Sequence, residues 1–409
     1  MWVQGGNSLR FARHNQTALL SVLPPHVEEQ VENVNLESNP TFYRPTYVSI
    51  DLDAIEFNIQ EISKLVKPSK VAVAIKANAY GHGIIEVAKK LEQLKVEMLC
   101  VATAEEALCL RENGISSQIL LLSEPPLAAI GPCYLNDITF TVYTKDCIDS
   151  INSYATKERK AKIHLKVETG MNRIGVDVSQ ALDFARKIKT SENLIFEGLF
   201  THFATAEEPT NPMTAAQLER FEKVLDDVEM AGLTPRYIHA ANSAAALRIP
   251  SSRFSMVRVG ICAYGIYPDA RGSDVIELKL ALSLKTEVAF LKTIKAGESV
   301  SYGARYTADR DTQIATLPIG YGDGVPRNYG LSGGKVLIRG VRCPIVGRVT
   351  MDQAMVDVGK LPVSVGDEVT MIGTDGNSTI STTEWGDLTG TISYEILCRL
   401  NERLPRIYD

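Results

Sequence analysis

The sequence predicts an α/β protein that consists of a (β/α)8 barrel, the TIM-barrel architecture, followed by a mainly β C-terminal domain. Eight strand-like apolar runs, most of them separated by helical stretches, lie at about 71–75, 97–101, 118–122, 138–143, 162–167, 195–201, 236–240 and 255–260. Strands that alternate with helices are typical of a parallel sheet, and eight such units are typical of a closed barrel. From about residue 274 the chain instead carries β-rich runs punctuated by glycine, which predicts a second domain.

An open doubly wound sheet is the alternative for the first part of the chain. However, no G-x-G-x-x-G pattern follows the first strand, and eight units within about 200 residues suit closure better. We therefore predict a poorly ordered N-terminal extension over residues 1–45, a barrel over 46–273 and a mainly β domain over 274–409.

Local signals predict several element boundaries. The run 47–52 begins the folded part, and Asp53 is expected to cap the helix that follows. Thr103 and Glu106 have the spacing of a capping box, and a helix over 214–230 is expected to end at Gly232. In the second domain we expect helix only near 393–404, and β-runs over 278–294, 313–318, 335–339 and 344–350.

Composition narrows the function classes. The 409 residues include 45 % hydrophobic ones, and the net charge is only −6 with Lys and Arg spread along the chain. Neither a nucleic-acid footprint nor a basic membrane-binding patch is indicated, so a small-molecule partner fits best. No run approaches the ~18–20 apolar residues that span a bilayer.

The seven cysteines are far apart and form no C-x-x-C pair, so we expect buried free thiols in a reducing compartment and no metal site. We therefore predict a cytoplasmic protein. Residues 1–40 contain Arg10, Arg13 and a short apolar run, but Pro24-Pro25 and an acidic stretch follow instead of a small-residue cleavage site. We interpret this piece as an extension without a targeting role.

The stretch 71–83 combines a buried strand with a reactive side chain. Its five apolar residues indicate a strand covered on both faces, and Lys76 follows directly, before small, polar and glycine residues. A lone lysine at a strand end usually extends its amine into solvent. The other strand ends decide whether Lys76 does more.

Polar side chains follow five of the predicted strands. Active sites of barrels lie at the C-terminal ends of the strands, where this chain places Lys76, Lys166 with Arg173, His202, His239 with Asn242 and Ser243, and Arg258. Packing alone does not explain so many polar strand ends. The sequence therefore predicts an active site at this face.

The loops after the seventh and eighth strands are suited to a phosphate. Ser243 offers a hydroxyl, and Gly260 before Ile261 lets backbone N–H groups approach an anion. The chain has no Walker pattern, which favours a cofactor with one phosphate over a nucleoside triphosphate. An amine opposite a single phosphate site suits pyridoxal 5'-phosphate, whose aldehyde forms a Schiff base with lysine.

At this point the residues carry a family resemblance. The run 74–83, AIKANAYGHG, resembles the pyridoxal-phosphate lysine motif of the alanine racemases. Further matching segments occur in order at 166–173, 201–204, 241–244, 258–261, 301–306, 320–323, 347–352 and 392–395. The resemblance extends from about residue 46 to the C-terminus.

The resemblance implies a homodimer with shared active sites that interconverts L- and D-alanine and so supplies D-alanine for peptidoglycan. It implies that Lys76 holds the cofactor and serves as acid and base on one face of the substrate, and that Tyr302 from the partner subunit serves the opposite face. Racemisation needs a proton to leave one face of a carbon and return to the other.

The resemblance also implies the remaining roles. Arg258 hydrogen-bonds the pyridine nitrogen, and its permanent charge disfavours protonation of the ring. Arg173 and Met351 contact the substrate carboxylate, and Tyr321 lies at the entrance. The supporting residues are Lys166, His239 and Asp352, and the cofactor ligands besides Lys76 and Arg258 are Tyr80, His202, Asn242, Ser243, Gly260, Ile261 and Tyr394.

Lys166 matches a lysine that the family often carbamylates, and the alternative is a salt bridge with a carboxylate such as Glu168. The chain departs from the common family pattern at Glu168, where aspartate is usual, at Asn172, where glycine is frequent, and at Thr350, where cysteine is often found. Asn172 bears most on substrate range, because it precedes Arg173.

Other functions stay open at this point. A broad-spectrum racemase or a serine racemase of the same fold is the nearest alternative. A non-catalytic pyridoxal-phosphate carrier resembles the barrel alone and lacks a β domain. Decarboxylases on the same two-domain plan place an acid where Arg258 stands.

Overall fold

The computed structural model describes residues 43–409 except residue 270, and residues 45–409 form one compact unit. The predicted extension lies almost entirely outside the described residues. The first elements of the unit are strand β1 (Tyr47–Ile50) and helix α1 (Leu52–Val66). Asp51 caps α1 through Oδ1, which accepts the N–H of Ala54 at 2.7 Å. The prediction of Asp53 as the cap is therefore wrong, because Asp53 already lies inside the first turn.

The predicted eight strands are all present and pair in parallel. They are β2 (Lys70–Ala74), β3 (Met98–Val101), β4 (Ile119–Leu121), β5 (Ile138–Val142), β6 (Ala161–Glu168, with the two-residue β7, Val176–Asp177, at its end), β8 (Leu194–Phe200), β9 (Tyr237–His239) and β10 (Met256–Val259). Their order in the sheet is β10-β2-β3-β4-β5-β6-β8-β9. Between β9 and β10 the N–H of Ser255 reaches the carbonyl of Ile238 at 3.1 Å, so the barrel is nearly closed.

Helices connect most of the barrel strands. They are α2 (Ile84–Gln93), α3 (Ala104–Glu112), α4 (Leu127–Leu135), α5 (Lys145–Tyr154), α6 (Ala181–Thr190), α7 (Met213–Met230) and α8 (Ser243–Arg248). The predicted capping box between Thr103 and Glu106 is present at the start of α3. The C-terminal ends of the parallel strands consequently meet at one mouth of the barrel.

The C-terminal part is mainly β, as predicted. Its strands are β11 (Leu282–Glu287), β12 (Phe290–Ile294), β13 (Ser299–Val300), β14 (Tyr306–Thr307), β15 (Thr312–Leu317), β16 (Lys335–Ile338), β17 (Val341–Pro344), β18 (Ala354–Gly359), β19 (Glu368–Asp375), β20 (Ser378–Ile380) and β21 (Arg406–Tyr408). One sheet has the order β17-β16-β19-β11-β1-β21, and a second has the order β12-β15-β18. Strand β1 thus pairs with strands from the far end of the chain.

Two expectations for this part are wrong. The run 344–350 is not a strand: β17 ends at Pro344, and Ile345 makes only a single bridge with Val356. Gly347, at φ +71°, turns the chain where a Cβ would meet the carbonyl oxygen of Val300 at 2.7 Å. Helix also returns earlier than expected, because α9 (Thr382–Thr389) precedes α10 (Ser393–Arg399). The Ser381 cap and the burial of Trp385 against Tyr329 offset the weak helix propensity of α9.

The seven cysteines are free thiols, but they are not uniformly buried, since Cys109 is half-buried and Cys398 is exposed. Across residues 43–409, no helix combines the length and apolarity that crossing a membrane requires. Within the same range, histidine, cysteine and acidic side chains form no group of three or more placed to hold a metal ion.

Candidate active site

The segment after β2 makes an unusual turn that positions two predicted site residues. A single helical turn spans Lys76–Tyr80, and its interior residues have φ angles between 52° and 55°, which is left-handed. A left-handed non-glycine residue costs roughly 1–2 kcal/mol. Side chains hold the turn: Glu106 accepts the N–H of Ala77 at 2.6 Å, and Asn78 accepts the N–H of Ile84 at 2.8 Å. Lys76 and Tyr80, at the two ends of the turn, line the same cavity.

That cavity lies at the barrel mouth and has a volume of about 520 Å³. It brings together most of the residues that the sequence predicted for the cofactor and its surroundings. They are Lys76, Tyr80, Lys166, Arg173, His202, Asn242, Ser243, Arg258, Gly260, Ile261 and Tyr394. The strands that carry them are far apart in sequence, so closure of the barrel creates the site.

The cavity concentrates cationic side chains. Burial lowers the pKa of Lys76, and the nearby Arg173 lowers it further while Glu106 opposes the shift. Burial lowers the pKa of Lys166 to about 7, with Arg173 and Arg258 adding to the effect. Both amines are therefore more readily neutral, and hence more nucleophilic, than ordinary lysines.

Arg258 forms the floor of the cavity and is only 6 % exposed. Its Nη1 donates to Nδ1 of His239 at 2.8 Å, and its Nη2 donates to Nδ1 of His202 at 3.1 Å and to the carbonyl of Thr201 at 2.8 Å. Burial lowers the pKa of Arg258 to about 10, so the guanidinium stays charged near neutral pH. Burial and the charge of Arg258 hold the pKa of both histidines well below the usual value, which keeps the two rings neutral.

A small cradle of hydroxyl and backbone N–H groups occupies another side of the cavity. Oγ of Ser243 accepts the N–H of Gly260 at 2.9 Å, and a Cβ on Gly260 would lie 2.6 Å from the hydroxyl of Tyr80. Tyr394 packs 5.9 Å from Tyr80, measured between ring centroids. Asn242 caps α8 by accepting the N–H of Ala245 at 3.0 Å, which fixes the start of the helix beside the cradle. Hydroxyls and N–H groups around a glycine are suited to a phosphate monoester.

Comparison with known proteins identifies the family. Residues 50–268 match the model for the alanine racemase N-terminal domain, and residues 281–408 match the model for the alanine racemase C-terminal domain. This chain belongs to the alanine racemase family. Alanine racemases from Symbiobacterium thermophilum and Methanococcus maripaludis are each 42 % identical to it over 89 % of this chain, and over 97 % and 98 % of their own lengths.

Solved structures of alanine racemases agree in fold. That of Clostridium difficile 630 is 38 % identical, covers 90 % of this chain and 97 % of its own, and has a TM-score of 0.85. That of Bacillus anthracis, described with bound L-Ala-P, is also 38 % identical, covers 90 % of this chain and 96 % of its own, and has a TM-score of 0.84. The alanine racemase resemblance noted in the sequence is confirmed.

Several residues that the alanine racemase resemblance implicates do not line this cavity. Tyr302 is 69 % exposed and lines a separate cavity of about 620 Å³ in the C-terminal part. Tyr321 and Met351 are also exposed, and Asp352 accepts a hydrogen bond from Arg403 at 2.7 Å. A single chain thus places Lys76 and Tyr302 in different cavities. The assignment of Tyr302 to the active site of a partner subunit stays a prediction.

The alternative for Lys166, a salt bridge with a carboxylate such as Glu168, is wrong. The carboxylate of Glu168 accepts the N–H groups of Gly170 at 2.5 Å and Arg173 at 3.2 Å, and within residues 43–409 no ion pair joins Lys166 to a carboxylate. Asn172 has φ +54°, a left-handed conformation that glycine and asparagine adopt more readily than other residues.

Sequence reasoning missed three contributors to the site. Phe200 lines the cavity, stacks on His239 with ring centroids 4.7 Å apart, and has Arg258 over its face. Glu106, predicted only as a cap, also holds the turn after Lys76. Glu197 contacts His164, which in turn contacts His239 behind the cavity. Its signal in the sequence is a carboxylate within the apolar run 194–200.

Proposed function

We propose that this chain is a cytoplasmic alanine racemase that acts as a homodimer, uses pyridoxal 5'-phosphate and supplies D-alanine for peptidoglycan. The observation that carries the proposal is one cavity that combines the Lys76 amine, the buried cation of Arg258 and the cradle around Gly260. Membership of the alanine racemase family supports the same reaction.

The cavity fits the cofactor. The amine of Lys76 would hold its aldehyde carbon, the Nη groups of Arg258 would face its pyridine nitrogen, and the cradle of Tyr80, Ser243 and Gly260 would take its phosphate. A Cβ on Gly260 would fill part of that cradle, which is why the close approach needs glycine. When bound, pyridoxal phosphate supplies a conjugated ring that delocalises the electron pair left on the substrate Cα.

Two bases on opposite faces would move the proton. The lowered pKa of Lys76 lets its amine accept a proton near neutral pH. Tyr302 of the partner subunit would serve the other face, with its phenol brought to the barrel mouth by dimerisation. Exposure of Tyr302, Tyr321 and Met351 in the single chain supports such an interface, because clustered exposed apolar side chains are typical of surfaces that a partner covers.

The remaining residues would orient the substrate. Arg173 is a cation at the cavity wall beside Lys166, and it would bind the substrate carboxylate together with Met351 of the partner subunit. Tyr321 of the partner subunit would narrow the entrance and favour a side chain as small as that of alanine. Asp352, His239 and Lys166 would support these groups without touching the reacting carbon.

The test is a racemisation assay on a panel of amino acids, with absorbance spectra recorded before and after borohydride treatment. We expect alanine to be the best substrate, and a visible cofactor band that borohydride abolishes while labelling the peptide that contains Lys76. A faster reaction with serine, lysine or arginine would assign the nearest alternative, a racemase of other or broader range. A protein without the band would contradict the role of Lys76.

A further inference from the structure

A buried chain of hydrogen bonds runs from Arg258 away from the cavity. Nη1 of Arg258 lies 2.8 Å from Nδ1 of His239, and Nε2 of His239 lies 2.9 Å from Nδ1 of His164. Nε2 of His164 lies 3.3 Å from Oε2 of Glu197, which also accepts Nε2–H of Gln118 at 2.6 Å. Both imidazoles are fully buried and Glu197 is 8 % exposed.

The two end groups, Arg258 and Glu197, determine which atom donates in each hydrogen bond between them. A guanidinium has no acceptor, so Nδ1 of His239 must accept and its proton must sit on Nε2. Nδ1 of His164 must then accept that proton, which leaves the proton of His164 on Nε2, where it points at Glu197. Every donor meets an acceptor only in this arrangement, in which both rings are neutral. Burial lowers the pKa of His164 and of His239, in agreement with neutral rings.

A β-bulge in strand β8 places Glu197 at the end of this series of hydrogen bonds. Along the pairing of β6 with β8, Ile163 is opposite Phe196 but His164 is opposite Gly198, so Glu197 is an extra residue in its strand. Such bulges redirect a side chain. A Cβ on Gly198 would lie 2.3 Å from Nδ1 of His164, so the glycine makes room for the imidazole.

We propose that Glu197 is a positioning residue that, through His164 and His239, fixes the orientation of Arg258 against the cofactor ring. Its carboxylate draws the two imidazole protons towards itself, which makes Nδ1 of His239 a stronger acceptor for Arg258. The effect on catalysis rests on the function proposed above. The donor–acceptor order of the hydrogen bonds does not rest on that function, because it is a property of the folded protein.

The first test measures the proton positions in the holoenzyme without substrate. Solid-state NMR of protein labelled with ¹⁵N-histidine separates protonated from unprotonated ring nitrogens. Scalar coupling across the N–H···N bond identifies the pair, since His164 and His239 are the only histidines so joined within residues 43–409. We expect both rings to carry a single proton on Nε2. A proton on Nδ1 of either ring, or a doubly protonated ring, would overturn the proposal even in an active racemase.

The second test compares Glu197→Gln, Glu197→Leu and the control Glu92→Gln. Glutamine keeps an acceptor for His164 without the charge, and leucine removes both. Glu92 instead accepts hydrogen bonds from Ser116 and Ser117, away from the hydrogen bonds that link Arg258 to Glu197. We expect kcat for alanine to fall about tenfold in Glu197→Gln and about a hundredfold in Glu197→Leu. We expect KM to change little, because we assign the substrate carboxylate to Arg173 and not to Arg258.

We also expect the coupling between the two rings to persist in Glu197→Gln and to be lost in Glu197→Leu. If Glu197→Leu does not fold, Glu197→Gln decides alone: a kcat equal to that of Glu92→Gln would show that Glu197 only stabilises the barrel. The same conclusion follows if all three variants differ in melting temperature but not in kcat.

Discussion

Nη1 of Arg258 donates to Nδ1 of His239 at 2.8 Å, beneath a cavity that also receives the amine of Lys76. The fork of the guanidinium lets it contact His239, His202 and the carbonyl of Thr201 at once. An ammonium group has neither this planar fork nor the same reach. The identity of this cation therefore matters as much as its charge.

Arg258→Lys tests this relationship. We expect kcat to fall about a hundredfold, because one ammonium cannot keep both the histidine contacts and a position facing the cofactor ring. Steady-state racemisation of alanine is the measurement, and Arg253→Lys is the control. Among the described residues, the side chain of Arg253 donates only to the carbonyls of Leu65, Ala246 and Leu247. Equal activities of the two variants would contradict a specific role for the guanidinium.

Gly260→Ala tests the phosphate cradle. The added Cβ would lie 2.6 Å from the hydroxyl of Tyr80, where we place the phosphate. We expect the dissociation constant for pyridoxal phosphate to rise about tenfold or more, since the cradle loses a close backbone approach. Fluorescence titration of the apoenzyme measures it.

Gly131→Ala is the matched control, because its Cβ would meet the ring of Tyr154 at 2.9 Å on the outside of the barrel. Tyr154 is 49 % exposed and can move aside. Unchanged cofactor affinity in Gly260→Ala would place the phosphate elsewhere.

Lys166→Met tests the cost of burying an amine. The pKa of Lys166 is about 7 in the folded protein and 10.5 ordinarily. Between these two pH values the amine is therefore protonated in the unfolded chain but mostly neutral in the folded protein. The destabilisation is then fully present below about pH 7 and disappears as the pH rises towards 10.5. In bicarbonate-free buffer we expect Lys166→Met to increase the free energy of unfolding at pH 6 by on the order of 2 kcal/mol, and by clearly less at pH 9.5.

Denaturant unfolding at the two pH values measures this difference. The control is Lys162→Met. Lys162 lies on the same strand as Lys166, is half-buried and forms an ion pair with Asp137. An increase in the free energy of unfolding that is the same at both pH values would contradict the lowered pKa of Lys166. With bicarbonate present, the neutral amine can add CO₂ and release a proton, and we expect electron density for a carbamate on Lys166. A bare amine under those conditions would count against the carbamylation that the resemblance implies.

Tyr302→Phe tests the second base. The equilibrium constant of racemisation is one by symmetry, so kcat/KM must fall equally in both directions. Exchange of the Cα hydrogen with solvent discriminates better. We expect the enantiomer whose hydrogen faces Lys76 to keep exchanging deuterium without inversion, while exchange from the other falls at least about a hundredfold. Equal losses for both enantiomers would remove Tyr302 from the proton transfer.

Much of this architecture could be predicted because its signals are local. The buried apolar runs specify the eight strands, and in a barrel the residues at their ends must converge, which is why Lys76, Arg258 and Ser243 were found together. Pairing between distant segments has no such signal. Tyr47 pairs with Lys285, so β1 joins the C-terminal sheet, and nothing within residues 47–50 indicates this.

The finer parts of the site depend on tertiary context. The left-handed turn over Lys76–Tyr80 contains no glycine in its interior, so its sequence gives no sign of positive φ angles. The extra residue at Glu197 depends on the register between two strands, which the alternation of one strand cannot reveal. Tyr302 could be assigned only through the resemblance, because it lines a different cavity from Lys76 and Arg258. The boundaries 45/46 and 273/274 stay predictions.

In the proposed homodimer, each active site combines Lys76 of one subunit with Tyr302 of the other. Coexpression of differently tagged Lys76→Ala and Tyr302→Ala chains, each expected to be inactive alone, tests this arrangement. A mixed dimer would contain one site with both native residues and one with neither. We predict that purified mixed dimers recover about half of the wild-type racemase activity per dimer, as symmetry requires of a shared site. Mixed dimers as inactive as the two parents would contradict the shared site.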